Sequence, residues 1–211
     1  LSMAVPMMLS MLIQSLYNIV DSIFVSRLGT DALTAVSLVY PLQNVIVSVA
    51  VGIGVGISSV ISRHLGAGNR WAADQAATLG MALSVFHSLL FVLVGLFATV
   101  PFLKLFTEDP EILDMASQYG TIVLCFSFGS LLQISMEKIF QATGNMIPTM
   151  FLLGSGCIIN IILDPILIFG WFGIPALGVS GAAIATVIGQ IGAFLLYIPV
   201  YRRLDIGVTI S

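Results

Sequence analysis

Asp21 is an acid inside an apolar run. From Pro6 to Val25 the strongly polar side chains are Gln14, Tyr17, Asn18 and Asp21. Their spacing is i, i+3, i+4, i+7, which on a helix makes a single stripe. A second such place is Asn160 and Asp164, one turn apart and followed by Pro165. Thr186 and Gln190 form a third one-turn pair, and Ser130, Gln133, Glu137 and Gln141 share roughly one helical face. If Asp21, Asn160 and Asp164 converge, two carboxylates, an amide oxygen and a hydroxyl make a set of hard oxygen ligands. That set suits a proton or an alkali cation, not a soft transition metal. Two neighbouring carboxylates out of water do not both stay ionised unless a cation joins them. The group's charge would then follow its loading, as ion-coupled transport requires.

The elements that must position these residues follow from composition. The 211 residues are 58% hydrophobic and only 8% charged, with mean hydropathy +1.10. Soluble domains carry about 25% charged residues. This chain cannot cover a water-facing surface and reads as an all-α integral membrane protein. Apolar stretches of roughly 20 residues cross a bilayer as helices. Six are expected, at approximately 3–25, 36–62, 76–100, 115–141, 148–170 and 178–200. Pro165 removes one backbone donor and frees the Ile161 carbonyl. Arg63, Arg70, Lys138, Arg202 and Arg203 fall on one side of these spans, and Arg27 and Lys104 on the other. The positive-inside rule then puts both chain ends in the cytoplasm. The acidic loop 104–114 faces outward, with Asp109-Pro110-Glu111 opening a helix. Cys125 and Cys157 sit in apolar runs and read as reduced core residues. The chain starts at the edge of its first span without Met, so a piece of a longer protein is expected; two half-size copies pairing is the alternative.

Other motifs have structural readings. Gly52-Ile53-Gly54-Val55-Gly56 has no preceding strand and no phosphate-binding lysine, so it is not a nucleotide loop. Gly52 and Gly56, with Ser48 and Ser59, are expected to form a close-packing helix face. The segments Gly66-Ala67-Gly68-Asn69 and Thr143-Gly144-Asn145 are helix stops. Gly178-Val179-Ser180-Gly181 matches a serine-protease pattern, but no histidine follows His87 to act as base. Ser180 is expected to cap the last span instead. Ile162-Leu163-Asp164-Pro165 lacks the Gly-x-Gly-Asp context of intramembrane aspartyl proteases. No enzyme, cofactor or nucleic-acid partner is indicated. Asn18, Gln133 and Gln190 also fit plain hydrogen bonding between helices. Glu137, beside Lys138, fits either an interfacial residue or a site member. His87 reads as a packed or hydrogen-bonded histidine.

These residues also carry a resemblance. The run Pro6-Met7-Met8, Gln14, Tyr17-Asn18-Ile19-Val20-Asp21, then Leu28-Gly29-Thr30-Asp31, resembles the opening of multidrug and toxic compound extrusion (MATE) transporters. So do Ile61-Ser62-Arg63-His64-Leu65-Gly66-Ala67-Gly68-Asn69, Gln141-Ala142-Thr143-Gly144-Asn145 and Asn160-Ile161-Ile162-Leu163-Asp164-Pro165. The similarity is greatest to the bacterial DNA-damage-inducible-type branch. It implies one six-helix lobe, the N-terminal one, of a twelve-helix exporter in the bacterial cytoplasmic membrane. Such an exporter exchanges sodium ions or protons for organic cations and other amphipathic drugs. It further implies a cation site at Asp21, Asn160 and Asp164, joined by Thr186, with Glu137 or Gln133 as a polar fourth-span member and a C-terminal lobe as partner. The alternatives are a lipid-linked saccharide flippase of the same superfamily, which would need more basic residues in its cavity, and, more remotely, a channel or an intramembrane enzyme.

Overall fold

A computed structural model describes residues 4–210. The described residues form helices without strands. They are α1 (Ala4–Ser26), α2 (Thr30–Gly66), α3 (Arg70–Phe97), a short α4 (Thr99–Leu103), α5 (Pro110–Cys125), α6 (Phe128–Ala142), α7 (Met146–Phe169) and α8 (Val179–Arg203), with a 3₁₀ turn at Trp171–Gly173. Five helices are long and apolar enough to cross a membrane, and α5 with α6 supplies a sixth, bent span. The chain is thus a multi-pass membrane bundle.

Three spans differ from expectation. The second starts at Thr30 and runs 37 residues, about 55 Å at 1.5 Å per residue. It overshoots the hydrocarbon on the acidic-loop side. The third runs from Arg70 to Phe97 rather than from 76 to 100, because Asn69 accepts a hydrogen bond from the Ala72 amide (3.1 Å) and caps it. Beyond it, Thr99–Leu103 is a separate helix. The fourth span, expected as one helix over 115–141, is two helices bent by 46°. At the break, the Ser127 amide bonds to the Leu124 carbonyl and the Gly129 amide to that of Phe126. These tighter i→i−3 bonds replace the α-ladder. α8 presses in there: a Cβ on Gly129 would lie 2.7 Å from Ile191 Cγ1.

The helix stops form as expected. Gly68 and Gly144 have φ of +73° and +81°. In both, the following asparagine amide reaches five residues back, Asn69 to His64 and Asn145 to Phe140, at 2.9 Å each. Asp109 caps α5 by accepting from the Glu111 and Ile112 amides.

The close-packing glycines lie elsewhere than expected. Gly52, Gly56, Ser48 and Ser59 are exposed, and a Cβ on either glycine would meet nothing within 4 Å. The spacing was right for a helix face, but no helix of this lobe covers it. Close approach occurs instead between α7 and α8. A Cβ on Gly189 would lie 2.9 Å from the Gly156 carbonyl oxygen and 3.1 Å from Asn160 Cβ. In a bilayer, where lipid tails are as apolar as leucine, such small-residue seams let dispersion and polar contacts hold helices together. α1 is the opposite case. It packs chiefly on α7, buries only Pro6, Ser10 and Val25, and exposes Met7, Met8, Met11, Leu12 and Leu16.

Two apolar clusters fill the bundle. One, towards the acidic loop, includes Val25, Val39, Leu103, Tyr119, Leu131 and Ile168. The other, towards the basic end, includes Ile61, Ile139, Phe140, Tyr197, Ile206 and Val208. Along α7 and α8, Asn160, Asp164 and Thr186 fall between them.

Candidate functional site

Asn160 and Asp164 lie one above the other on α7, 2% and 0% exposed, and Thr186 on α8 is 5% exposed. The Gly156–Gly189 seam brings α8 close enough for Asn160 Nδ2 to donate to Thr186 Oγ1 at 3.3 Å. The Thr186 hydroxyl also shares a 3.4 Å hydrogen bond with the Tyr17 hydroxyl of α1. One turn further along α1, the Asp21 carboxyl interacts directly with that of Asp164. The structure therefore brings Asp21, Asn160, Asp164, Thr186 and Tyr17 into one group on three helices.

Asp21 Oδ1, Asn160 Oδ1 and both carboxyl oxygens of Asp164 are buried without a hydrogen-bond partner among the described residues. A buried polar oxygen left unpaired costs about 1–3 kcal/mol. These four atoms are all acceptors and lack a donor. A proton or a hard monovalent cation would satisfy them. The set contains two carboxyls, one amide and a hydroxyl, with no sulfur or imidazole, which fits an alkali ion rather than a transition metal.

Two cavities meet this group. A small one, about 90 Å³, is lined by Gln14, Tyr17, Ser130, Gln133, Glu137, Asn160, Thr186 and Gln190. A larger one, about 590 Å³, is lined by Tyr17, Asn18, Asp21, Tyr40, Gln43 and Tyr119. Tyr17 borders both. Gln14, Gln133 and Gln190 thus fall on the small cavity, and Asn18 falls on the large one.

Glu137 lines the small cavity with Tyr17, Asn160 and Thr186, but its hydrogen bonds go to its own helix. Its carboxylate accepts from Gln141 Nε2 at 2.8 Å and pairs with Lys138 at 3.5 Å, and Lys138 also donates to Gln141 Oε1 at 2.9 Å. Gly54 of α2 makes room for this: a Cβ there would lie 2.6 Å from Lys138 Cγ. His87 is hydrogen-bonded, its Nδ1 2.8 Å from the Leu83 carbonyl. Ser180 does not cap α8. The helix begins at Val179, one residue earlier, and the Ser180 hydroxyl donates to Gln118 Oε1 at 2.7 Å. Cys125 and Cys157 are free thiols.

Sequence reasoning missed Gln43 and Tyr119, joined by a 3.1 Å hydrogen bond across α2 and α5. Gln43 was findable as one of two adjacent amides, with Asn44, in an apolar span. Tyr119 had no such signal.

The MatE family model matches residues 6–166. The chain belongs to the MatE family of membrane transporters. It is 30% identical over 200 residues to the probable multidrug resistance protein YoeA of Bacillus subtilis, covering 94% of this chain and 43% of that protein. It is 31% identical to an FAD transporter of Shewanella oneidensis, covering 93% of this chain and 43% of that one. It superposes on a solved MOP-superfamily transporter from Pyrococcus furiosus with a TM-score of 0.92 at 31% identity, covering 99% of this chain and 46% of that structure. The chain spans less than half the length of these relatives, and its six spans correspond to one lobe. The relatives are transporters, not enzymes.

Proposed function

We propose that this chain is the ion-coupling lobe of an exporter that exchanges sodium ions or protons for drugs or other amphipathic organic cations. The observation that carries this reading is the set of four unpartnered oxygens on Asp21, Asn160 and Asp164. They sit where α1 meets the α7–α8 pair, beside two cavities bordered by Tyr17. A cation there neutralises the carboxyls and draws α1 to α7; its release lets α1 shift and changes both cavities. Ion and drug are coupled to the extent that the ion binds the two arrangements unequally. A second lobe completes the pathway. The basic ends of the spans lie in the cytoplasm, and the bilayer is the bacterial cytoplasmic membrane.

Cavity chemistry supports cationic cargo. Among the described residues, Asp21 and Glu137 are the charged side chains lining the two cavities, and no lysine or arginine does so. Such walls repel a pyrophosphate-linked saccharide or a dinucleotide such as the cargo of the Shewanella relative. Ethidium efflux from cells expressing the gene tests the proposal. Asp21→Asn and Asp164→Asn are expected to abolish efflux at unchanged membrane levels. Efflux retained by both variants would sink it.

A further inference from the structure

The small cavity is lined by polar side chains that bond to nothing else in the lobe. Ser130 and Gln133 of α6, 6% and 8% exposed, line it together with Gln14 of α1 and Gln190 of α8. None of these four side chains forms a hydrogen bond among the described residues. Buried polar groups are nearly always paired, with protein or with ordered water, so this cavity calls for a polar occupant. At about 90 Å³ it has room for about three waters at roughly 30 Å³ each, or for an alkali ion that keeps part of its shell.

Asn160, Thr186 and Tyr17 form part of its wall, and from them it reaches towards the basic end. On α8, Gln190 lies one turn beyond Thr186 in the direction of Arg202 and Arg203. On α7, Gly156 lies one turn before Asn160 in the direction of Met146. On α1, Gln14 is two turns, about 10 Å, from Asp21. The large cavity runs the other way, from Asp21 past Ser26 to Leu33. The Asp21–Asp164 group therefore stands between one cavity on the acidic side and one on the basic side. Glu137 is the carboxylate of the basic-side cavity. Its contacts with Gln141 and Lys138 both fall on Oε1, and Oε2 accepts no hydrogen bond among the described residues. Lys138 does not line the cavity, and it has a second seat on Gln141 Oε1. A carboxylate and three amide oxygens are hard ligands for a sodium ion. A proton would use the carboxylate alone and leave the amides unpaired. The nearby lysine weakens the hold, which suits a stop that an ion must leave as well as enter.

We infer that the small cavity is a second sodium site, weaker than the first. Glu137 Oε2 is its carboxylate ligand, and the amide oxygens of Gln14, Gln133 and Gln190 complete it. An ion released by Asp21 and Asp164 passes to this site on its way to the basic end. The direction of travel rests on the proposed function; the site itself does not.

The test is equilibrium binding of radioactive sodium to the purified full-length gene product, with variants counted against wild type. Glu137→Gln is expected to bind one sodium ion fewer, with the affinity of the remainder unchanged within about twofold. Asp164→Asn should lose a different ion, so the double variant should lose two. Gln133→Leu removes an amide that has no protein partner, which spares the fold. It should weaken the ion lost in Glu137→Gln by about tenfold or more. A Glu137→Gln protein that binds as many ions as wild type overturns the proposal, and so does a Gln133→Leu protein with wild-type affinity. If the double variant loses no more than Asp164→Asn alone, Glu137 belongs to the Asp21–Asp164 site and the proposal also falls. If Glu137→Gln loses an ion while Asp164→Asn loses none, this site stands and the proposed coupling site fails. Sodium binding unchanged in every variant overturns both.

Discussion

Replacing Asp164 by asparagine should invert the stability order of two proteins according to the sodium concentration. Asp164 is fully buried, and its two oxygens, like Asn160 Oδ1 and Asp21 Oδ1, have no hydrogen-bond partner among the described residues. An asparagine at 164 supplies an NH₂ group with two donors. Two new hydrogen bonds are worth about 1 kcal/mol each, somewhat more where the acceptor is a carboxylate. In sodium-free buffer the variant should therefore be about 2 kcal/mol more stable than wild type. Sodium at a hundred times its dissociation constant adds about 2.7 kcal/mol to wild type. That is roughly 5–10 °C in midpoint for a chain of this size. Wild type then overtakes the variant, which gains nothing. The assay is thermal unfolding in detergent, with sodium replaced by choline at fixed ionic strength and pH. If sodium has no effect but acidification stabilises wild type and not the variant, the coupling ion is the proton. A variant that keeps the sodium response, or that is less stable than wild type in choline, refutes the reasoning. So does a wild type indifferent to both ions.

Three further outcomes are expected. Gly181→Ala would place a Cβ 2.5 Å from the Leu167 carbonyl oxygen and should lower stability by about 1–3 kcal/mol; Gly52→Ala, facing open space, should be neutral or stabilising by up to about 1 kcal/mol in the same unfolding assay. Thr186→Val removes the acceptor of Asn160 Nδ2 and the partner of Tyr17. It should cost about 1–3 kcal/mol of stability and weaken ion-dependent stabilisation. Lys138→Met leaves the Glu137 carboxylate in the small cavity without its tethered cation. Equilibrium dialysis of tetraphenylphosphonium should show tighter binding, by about tenfold if 1.4 kcal/mol of attraction is released.

Helical spacing alone made the stripe on α1 and the Asn160–Asp164 pair legible, because a one-turn interval fixes a shared face whatever surrounds it. Thr186 was different. Its place beside Asn160 depends on how closely α8 approaches α7, which is set by Gly156 and Gly189 across the seam. The sequence pointed to it only through resemblance. The Gly52–Gly56 expectation failed for a related reason: spacing defines a face but does not say what covers it. The bend between α5 and α6 was hidden because Phe126-Ser127-Phe128 contains no proline and hydropathy runs on through it. At the bend Ile191 packs closely against Gly129, a contact between distant parts of the chain. Tyr119 was missed likewise, since its partner Gln43 lies on another helix.

The helix that carries Asp21 is attached unlike the rest. α7 and α8 are locked backbone to backbone, whereas α1 is laid on α7 and exposes three methionines on its outer side. Stiffness in this lobe is therefore unequal. In the proposed mechanism a force generated between Asp21 and Asp164 would not divide evenly between the two helices: the locked pair would serve as anvil and α1 would yield. Unbranched thioether side chains can settle against differently shaped surfaces with little penalty, so a yielding α1 need not find one exact seat. In the proposed mechanism, this geometry sets in advance which helix would convert a change in charge into displacement.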